Sequence, residues 1–260
     1  MNILEKIVRD KHQEMGLKKQ LIPISQLEAS VLFDKPTISL ASILRNSGTG
    51  IIAEHKRRSP SKAVINHSLS VFEVALGYEN AGVCGMSVLT DGKYFGGSLD
   101  DLLLARAVVK MPLLRKEFII NEYQILEAKA YGADLILLIA AILTREALKS
   151  LSEFAKSLGL EVLLEVHDQT ELERSIMPSI DMLGVNNRDL KTFSTSLEIS
   201  RQLSHLIPSD FVKVSESGID TPEAIKDLRE YGYKGFLIGE NFMKTGDPGK
   251  SAQDFIDKLL

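Results

Sequence analysis

Acidic and basic side chains follow short apolar runs at several places in this chain. Glu54 and Lys56 come after the run GIIA, and Lys116 comes after PLLR. In the same way, Glu165 follows EVLL. Carboxylates and ammonium groups that meet at one site can exchange protons with a substrate, and lysines can also bind its anionic groups. Such chemistry requires a fold that brings the four side chains together.

Side-chain alternation along a strand predicts which of these residues share a face. Successive residues point to opposite sides of a sheet, so Glu54 and Lys56 lie on one face and His55 on the other. Lys116 and Phe118 are related in the same way. We therefore expect the polar side chains to point into a common space and His55 to point away from it.

Two more segments repeat this arrangement. Glu165 shares a face with Leu163, and Asn186 and Arg188 share a face with Gly184. Each polar side chain lies at the carboxyl end of its segment, beyond an apolar or small residue. The repetition in four segments favours a single polar site over separate salt bridges on solvated loops.

Eight short apolar segments alternate with amphipathic stretches, which indicates parallel βαβ units. The chain length agrees with an α/β fold of the closed (β/α)8 TIM barrel type, which typically has ~250 residues and carries its chemistry at the carboxyl ends of the strands. An open doubly wound sheet is the alternative, but it usually has fewer strands. The predicted strands are GIIAE (50–54), CGMSVL (84–89), PLLRK (112–116), DLILLI (134–139), EVLLEV (161–166), DMLGVN (181–186), FVKVSE (211–216) and GFLIG (235–239), and the clearest helical stretches are 68–82, 122–133, 144–159 and 221–232.

The start of the chain does not follow the repeat. Residues 1–47 are predicted to form an N-terminal helical extension with helices over 3–15 and 25–33, the first of them ended by Gly16. We expect this extension to cover one end of a barrel formed by residues 48–260, in a single structural domain.

Composition excludes several classes of function. The chain has 260 residues, 44% hydrophobic and 25% charged, with a net charge of −4 and no basic stripe for nucleic acid or a membrane surface. The longest apolar run, 135–143, is far shorter than the ~20 residues of a membrane helix. Cys84 is the only cysteine, which favours a reducing, cytoplasmic location.

The histidines lack metal-ligand spacing, and for His55 and His167 we expect packed or solvated roles.

Glycine-rich turns after the last two strands predict a phosphate site. Ser217 and Gly218 lie between the seventh strand and a helix that begins at Thr221-Pro222, and Gly239 follows the eighth strand. Backbone N–H groups at such turns and at helix N-termini bind anions, and barrels often hold a phosphate in these two loops.

With these motifs in place, the chain resembles the indole-3-glycerol-phosphate synthase family over nearly its whole length. The resemblance implies a (β/α)8 barrel with an N-terminal helical extension, no cofactor and no metal. It rests on eight motifs in order, AEHKRRSPSK (53–62), SVLTDGKYFGGSLDDL (87–102), LLRKEFII (113–120), DLILLIAAIL (134–143), LLEVHD (163–168), GVNNRDL (184–190), VSESGI (214–219) and FLIGENFM (236–243).

The resemblance implies ring closure of 1-(2-carboxyphenylamino)-1-deoxyribulose 5-phosphate to indole-3-glycerol phosphate, with loss of carbon dioxide and water. It implies that Lys116 is the general acid, that Glu165 acts in the later proton transfer and dehydration, and that Lys56 binds anionic groups and assists as an acid. Glu54 and Asn186 hold hydroxyls and lysines in place. We expect other cations around Lys116. Because like charges disfavour its protonated form, we expect the pKa of Lys116 to be lower than that of an ordinary lysine.

The remaining roles implied by the resemblance concern binding. Ser59, Arg188 and Glu216 fix the substrate, and Pro60 stiffens the first loop. The anthranilate pocket is formed by Phe95, Phe118, Leu137 and Leu237, and the phosphate cradle by Lys56, Ser217, Gly218, Gly239 and Glu240.

Two alternatives remain open at this point. One is a barrel lyase or aldolase that uses Lys116 or Lys56 as a Schiff-base nucleophile on a sugar phosphate. The other is a sugar-phosphate-binding barrel without catalysis, which would need the phosphate turns but not Lys116 together with Glu165. For either we expect a small-molecule ligand, no nucleic-acid or membrane partner, and a monomer or weak homo-oligomer.

Overall fold

Eight parallel strands form a closed barrel in which each strand pairs with the next along the chain and the last pairs with the first. The computed structural model describes residues 2–60, 62–189 and 194–260. The predicted (β/α)8 barrel is confirmed, and the open sheet is excluded. The strands are β1 (Ile51–His55), β2 (Gly85–Leu89), β3 (Leu113–Lys116), β4 (Leu135–Ile139), β5 (Glu161–Val166), β6 (Met182–Asn186), β7 (Val212–Glu216) and β8 (Tyr233–Ile238).

Helices separate the strands and surround the barrel, and within the described residues no helix has the length and apolar character needed to cross a bilayer. The four predicted helical stretches are present with slightly shorter bounds. The helices are α1 (Ile3–Leu21), α2 (Ile24–Glu28), α3 (Leu40–Asn46), α4 (Val71–Asn80), α5 (Gly92–Phe95), α6 (Leu99–Val108), α7 (Glu122–Ala130), α8 (Arg145–Ser157), α9 (Gln169–Ser175), α10 (Glu198–Ser204), α11 (Pro222–Glu230), α12 (Glu240–Met243) and α13 (Pro248–Leu259), with a 3-10 turn at Ala140–Ile142.

Alternation along the strands divides the apolar residues into two layers. Ile52 and Leu114 belong to the cluster inside the barrel, whereas Ile51 and Ala53 belong to the cluster between the strands and the outer helices. Because the inner layer is filled with side chains, the barrel is a packed core and not a pore. The polar residues at the strand ends therefore lie on top of this packing, at the mouth.

Capping residues set the point at which several loops at the mouth give way to helices. Thr144, Asp168 and Thr221 each accept a hydrogen bond from a backbone N–H in the first turn of the following helix. Such caps satisfy donors that would otherwise be unpaired and typically contribute about 1 kcal/mol each. The start of α11 at Pro222 confirms the helix start predicted from Thr221-Pro222.

The N-terminal helices differ from the sequence prediction in their lengths. α1 continues through Gly16 to Leu21, and α2 is a short helix that ends at Glu28. A Cβ at Gly16 would meet nothing within 4 Å, so this residue lies on an open face of the helix. A glycine there costs about 1 kcal/mol relative to alanine. The burial of Met15 and the ion pair of Lys18 with Glu127 on α7 offset that cost and continue the helix.

The prediction that the extension covers one end of the barrel was wrong, because its helices reach both ends. Ile3 and Ile7 of α1 line the cavity at the mouth. At the opposite end, Leu40 and Leu44 of α3 pack so closely against Gly85 and Gly235 that a Cβ on either glycine would meet a leucine side chain at 3.0 Å or less. The extension is therefore part of the barrel's core and of the wall of its mouth.

A buried lysine fastens α1 to two loops of the mouth. Lys11 Nζ lies 2.8 Å from Asp91 Oδ2 and 3.1 Å from Glu117 Oε1, and its side chain is 3% exposed. Burial would raise the pKa of Glu117, but Lys11 and Arg115 outweigh that effect and hold this pKa below its ordinary value. The same carboxylates accept backbone N–H groups of Phe95 and Phe118. Lys11 thus connects the extension to Phe95 and Phe118 at the mouth.

Replacing Lys11 by methionine should destabilise the protein strongly. The change leaves Asp91 buried without its cation and leaves Glu117 with the more distant Arg115, 3.7 Å away, and breaking a buried ion pair in this way typically costs about 3–5 kcal/mol. The free energy of unfolding from urea denaturation measures this loss. Lys6→Met, the same change at an exposed position of α1, is the matched control and should alter stability by less than about 0.5 kcal/mol. Equal stability of the two variants would contradict the role given to Lys11.

Candidate active site

A cavity of about 640 Å³ opens at the carboxyl ends of the strands. It lies where enzymes with this fold carry their catalytic groups. Every residue for which the sequence predicted a catalytic or binding role lines it. These residues are Glu54, Lys56, Ser59, Pro60, Phe95, Lys116, Phe118, Leu137, Glu165, Asn186, Arg188, Glu216, Ser217, Gly218, Leu237, Gly239 and Glu240. The structure therefore brings the whole predicted set together, whereas the role of each residue stays a prediction.

Lys116 lies at the centre of this cavity among three carboxylates. Its Nζ is 2.5 Å from Glu216 Oε2, 3.7 Å from Glu165 Oε2 and 3.8 Å from Glu54 Oε2. These residues come from the ends of β3, β7, β5 and β1. Glu54 is shared with Lys56, whose Nζ lies 2.7 Å from Glu54 Oε1. The barrel thus builds one connected acid–base cluster from four separate strands.

The expected depression of the Lys116 pKa was wrong. Burial does lower the pKa of this ammonium group, but Glu216, Glu54 and Glu165 together outweigh burial and raise the pKa above its ordinary value. The prediction rested on the cations expected near Lys116, whereas three carboxylates lie within 4 Å of its ammonium group. Lys116 is consequently protonated in the free protein at neutral pH.

The pKa values of two carboxylates in this cluster are shifted in opposite directions. Burial raises the pKa of Glu216 to about 7, with the negative charges of Glu165 and Glu54 acting in the same direction against the attraction of Lys116. Burial acts on Glu54 as well, but the charges of Lys56 and Lys116 hold its pKa below the ordinary value. Pairs of groups whose environments separate their pKa values are typical of acid–base sites.

Asn186 orients Glu165 from the neighbouring strand. Its Nδ2 donates a 3.1 Å hydrogen bond to Glu165 Oε1, and its Oδ1 accepts the backbone N–H of Arg188. Gly184 lies below it on the same face, where an added Cβ would be 2.6 Å from Glu216 Oε1. A side chain at that position would push the Glu216 carboxylate out of its place beside Lys116.

The loop after β7 has a strained backbone at the cavity wall. Ser217 has a φ of 69°, a left-handed conformation that is uncommon outside glycine, and Gly218 follows with a φ of 74°. Asn187 Nδ2 donates hydrogen bonds to Ser215 Oγ and to the Ser217 carbonyl, which fixes the turn. Strain of this kind persists only where the surroundings enforce it, and it is concentrated at functional sites.

The loop after β8 lies beside this turn and has little free space. A Cβ on Gly239 would be 2.5 Å from Glu54 Oε1, so only glycine lets the chain pass there. α12 begins directly after it at Glu240, whose carboxylate forms a 2.8 Å ion pair with Lys62 of the first loop. The two loops predicted to hold a phosphate therefore border the same end of the cavity as Ser59 and Lys56.

An apolar pocket forms the other part of the cavity. The rings of Phe95 and Phe118 lie 5.9 Å apart between centroids, next to Leu137 and Leu237. Ile7 of α1 also lines this wall. Aromatic side chains at this spacing are suited to contacting a flat ring.

Sequence reasoning missed the contacts of two residues near the site. His167 was expected to be packed or solvated, but its Nε2 lies 3.4 Å from Glu165 Oε1. Alternation could have found it, because it is two residues beyond Glu165. Lys11 could not be found that way, since nothing in the sequence shows which loops α1 contacts. His55 is buried outside the cavity, as alternation predicted, and burial together with Arg57 lowers its pKa to about 4.

Comparison with known proteins agrees with this geometry. The family model described as indole-3-glycerol phosphate synthase matches residues 4–255. A protein of that name from Bacteroides thetaiotaomicron is 49% identical over 258 residues, covering 99% of both chains. Another from Caldanaerobacter subterraneus is 42% identical, covering 99% of this chain and 98% of the relative.

The chain belongs to the indole-3-glycerol phosphate synthase family. Among solved structures, 3-hexulose-6-phosphate synthase from Salmonella typhimurium is similar with a TM-score of 0.64 and 14% identity, covering 81% of this chain and 98% of that one. KGPDC from Streptococcus mutans is similar with a TM-score of 0.62 and the same identity, covering 81% and 96%. At this identity the structural likeness supports the barrel fold alone.

Replacing Glu216 by glutamine should remove a pH dependence of stability. A carboxyl group with a pKa of about 7 in the folded protein, above its ordinary 4.5, stabilises the fold at low pH, and this contribution is lost as the pH rises through 7. Between about pH 5 and pH 8, the free energy of unfolding of the unchanged protein should therefore fall by about 2–3 kcal/mol more than that of the variant. Urea denaturation at both pH values measures this difference.

Glu153→Gln is the control for this experiment, because Glu153 is exposed on α8 and pairs only weakly with Lys149. Its stability should follow that of the unchanged protein at both pH values. If Glu216→Gln shows the same pH dependence as this control, the raised pKa of Glu216 is wrong.

Proposed function

We propose that this chain catalyses the indole-3-glycerol phosphate synthase reaction, as a carboxy-lyase of tryptophan biosynthesis. In this reaction 1-(2-carboxyphenylamino)-1-deoxyribulose 5-phosphate closes to an indole ring and loses carbon dioxide and water. The observation that carries the proposal is the ammonium group of Lys116, held among three carboxylates between an aromatic pocket and two phosphate-type turns. The substrate has matching parts: an aromatic ring, a reactive carbonyl and a terminal phosphate.

Binding orients the substrate along the cavity. The anthranilate ring packs against Phe95 and Phe118 next to Leu137 and Leu237, and the phosphate is held by Ser217, Gly218, Gly239 and the backbone N–H of Glu240. Lys56 and Arg188 bind the anionic groups. With Ser59, Pro60 and Glu216 as further contacts, the ribulose carbonyl comes close to the Lys116 ammonium. Holding reacting groups in place in this way accelerates the ring closure.

The first chemical step forms the carbon–carbon bond. The ring carbon that bears the carboxylate attacks the ribulose carbonyl, and Lys116 donates a proton to the carbonyl oxygen as negative charge develops there. An alkoxide is a stronger base than an amine, so this transfer remains favourable although the surrounding carboxylates raise the pKa of Lys116. The carboxylate then leaves as carbon dioxide, and its electron pair restores the aromatic ring.

The second step expels water. The new hydroxyl receives a proton from Lys56, the assisting acid, and departs as water, while the carbon next to nitrogen loses a proton to Glu165. Asn186 and Glu54 hold Glu165, Lys56 and Lys116 in position during both steps. Two protons reach the oxygen and one leaves carbon, so each turnover takes up one proton from the solvent. The charge balance requires this, because a carboxylate departs as neutral carbon dioxide.

The raised pKa of Lys116 disfavours the Schiff-base alternative at this lysine. A lysine that attacks a carbonyl must be unprotonated, whereas the three carboxylates hold this one in its charged form. The non-catalytic alternative does not account for the carboxylates, because binding a phosphate needs no buried acidic cluster. A buried cluster of this kind costs stability and is retained where chemistry needs it.

The proposal also covers the domain bounds, the cellular location and the oligomeric state of the protein. We take residues 1–47 as the helical extension and 48–260 as the catalytic barrel, supported by the end of α3 at Asn46 and the start of β1 at Ile51. We take the protein to act in the cytoplasm as a monomer or weak homo-oligomer on a small-molecule substrate. No cofactor or metal enters the proposed steps, because the carbonyl and the aromatic ring accept the electrons.

Lys116→Met should abolish turnover while leaving binding intact. Methionine fills a similar space but donates no proton, so kcat should fall by at least about a thousandfold. Indole fluorescence follows product formation, and equilibrium titration with a reduced substrate analogue follows binding. Lys149→Met, an exposed lysine on α8, should retain the activity of the unchanged protein.

Three outcomes would contradict the proposal. An unchanged protein that forms no indole-3-glycerol phosphate would contradict the function itself. Turnover retained by Lys116→Met would contradict the role of this residue as the acid. A covalent adduct on Lys116 or Lys56, trapped by borohydride with the substrate, would favour the Schiff-base alternative.

A further inference from the structure

We propose that His167 acts through Glu165 as a positioning residue of the acid–base cluster. It relays to the Glu165 carboxylate the proton that each turnover takes from the solvent. The inference rests on the proposed function, because it assigns a route to the net proton uptake of that reaction. It follows from where the imidazole ring lies: between the Glu165 carboxylate in the cavity and a second carboxylate, Glu171, outside it.

The ring contacts one carboxylate through each nitrogen. His167 Nε2 lies 3.4 Å from Glu165 Oε1, and His167 Nδ1 lies 3.3 Å from Glu171 Oε2. Glu171 also accepts the backbone N–H of His167 at 2.8 Å. The outer carboxylate therefore holds both the main chain and the ring of His167, and leaves Nε2 directed at the inner carboxylate.

Local structure explains this placement. His167 is the first residue after β5 and lies two positions beyond Glu165, so both side chains leave the chain on the same face. Asp168 then caps α9, and the first turn of that helix brings Glu171 back over the histidine. Strand, cap and helix thus arrange the three groups in a row without a long loop.

The inner nitrogen has a polar neighbour and no hydrogen bond. Nε2 is buried, and within residues 2–60, 62–189 and 194–260 it has no hydrogen-bond partner, although Glu165 is 3.4 Å away. A purely structural buried histidine normally satisfies both nitrogens. Here a small rotation of the ring would complete an Nε2–H···Oε1 hydrogen bond.

The charges around the ring favour its protonated form. Burial would lower the pKa of His167, but the hydrogen bond to Glu171 and the charges of Glu165, Glu171 and Glu216 outweigh burial and raise this pKa. The nearest cation of the cluster, Lys116, lies beyond Glu165, 3.7 Å from its Oε2. The imidazolium therefore persists to a higher pH than that of an ordinary histidine.

His167 gives Glu165 access to solvent protons while substrate covers the cavity. A bound substrate lies over Lys116 and Glu165, which separates both from the solvent at the mouth. His167 and Glu171 lie to the side, with side chains 14% and 16% exposed, and so remain in reach of water. Of the two faces of Glu165, the one toward His167 thus stays connected to the solvent during turnover.

The relay step balances as a simple proton transfer. The Nε2–H bond of the imidazolium breaks, and an O–H bond forms on the Glu165 carboxylate. Glu165 passes this proton, and before it the one that it took from carbon, into the cluster, where the two restore the ammonium groups of Lys116 and Lys56. The neutral imidazole keeps its Nδ1–H, which donates to Glu171. Rotation of the neutral ring about its Cβ–Cγ bond then carries Nε2 from its buried position to the exposed side, where it takes its next proton from water before the ring returns. Over one cycle a single proton passes from the solvent to the acid–base cluster, which matches the net uptake of the reaction.

His167→Gln tests the relay. Glutamine keeps polar atoms at this position but exchanges no proton at neutral pH, so kcat should fall by about tenfold or more with KM changed less than about threefold. Added imidazole should restore kcat of this variant in proportion to its concentration of imidazolium, and should have no effect on the unchanged protein. The kcat–pH profile of the unchanged protein should decline on its basic side above the ordinary histidine pKa, and the variant should lose this decline.

His12→Gln is the matched control, because His12 is exposed on α1. It should retain the kcat, KM and pH profile of the unchanged protein. Glu171→Gln provides a second test if His167→Gln does not fold. That change keeps an acceptor for the His167 backbone N–H but removes the outer charge, so the basic decline of kcat should move to lower pH.

The outcomes separate the two proposals. If the unchanged protein forms no product, the proposed function is wrong, and the relay that rests on it is wrong with it. If it turns over and His167→Gln has the same kcat and pH profile, the relay is wrong. A loss of kcat that imidazole does not restore, with an unaltered pH profile, would reduce His167 to a packing role. An unaltered profile in Glu171→Gln would overturn the relay in the same way.

Discussion

The ion-pair cluster around Lys116 is the interaction on which the rest of the structure depends. An ammonium group among three buried carboxylates is stable only if each charge keeps its partners, because an unpaired buried charge costs several kcal/mol. The four groups come from strands β1, β3, β5 and β7, so the cluster exists only when the barrel is closed. Closure of the sheet and assembly of the acid–base site are therefore a single event.

Contacts of the loops and of the N-terminal extension hold the residues around this cluster in position. Lys11 fastens α1 to the carboxylates that hold the Phe95 and Phe118 backbones, and the strained turn at Ser217 is fixed by Asn187. Gly184 and Gly239 leave room for the Glu216 and Glu54 carboxylates. The mouth is thus rigid where the substrate must be aligned. His167 and Glu171 extend the same cluster toward water.

Much of this could be predicted from the sequence, because strand alternation is a local rule. It placed Glu54, Lys56 and Glu165 at the mouth and turned His55 away, and the eight apolar segments predicted the barrel. What failed depended on distances between strands. The pKa of Lys116 was predicted in the wrong direction because no single segment shows that Glu216 comes within 2.5 Å of it. The contacts of Lys11 and the length of α1 were missed for the same reason, since packing against other elements decides both.

A crystal structure of the complex with a reduced substrate analogue, in which a hydroxyl replaces the ribulose carbonyl, tests the central claim most directly. The account predicts this hydroxyl oxygen within about 3.2 Å of Lys116 Nζ, the distance that proton donation requires. It also predicts the aromatic ring in contact with Phe95 and Phe118. An oxygen bound well beyond hydrogen-bond reach of Lys116, with the ring outside that pocket, would contradict the account.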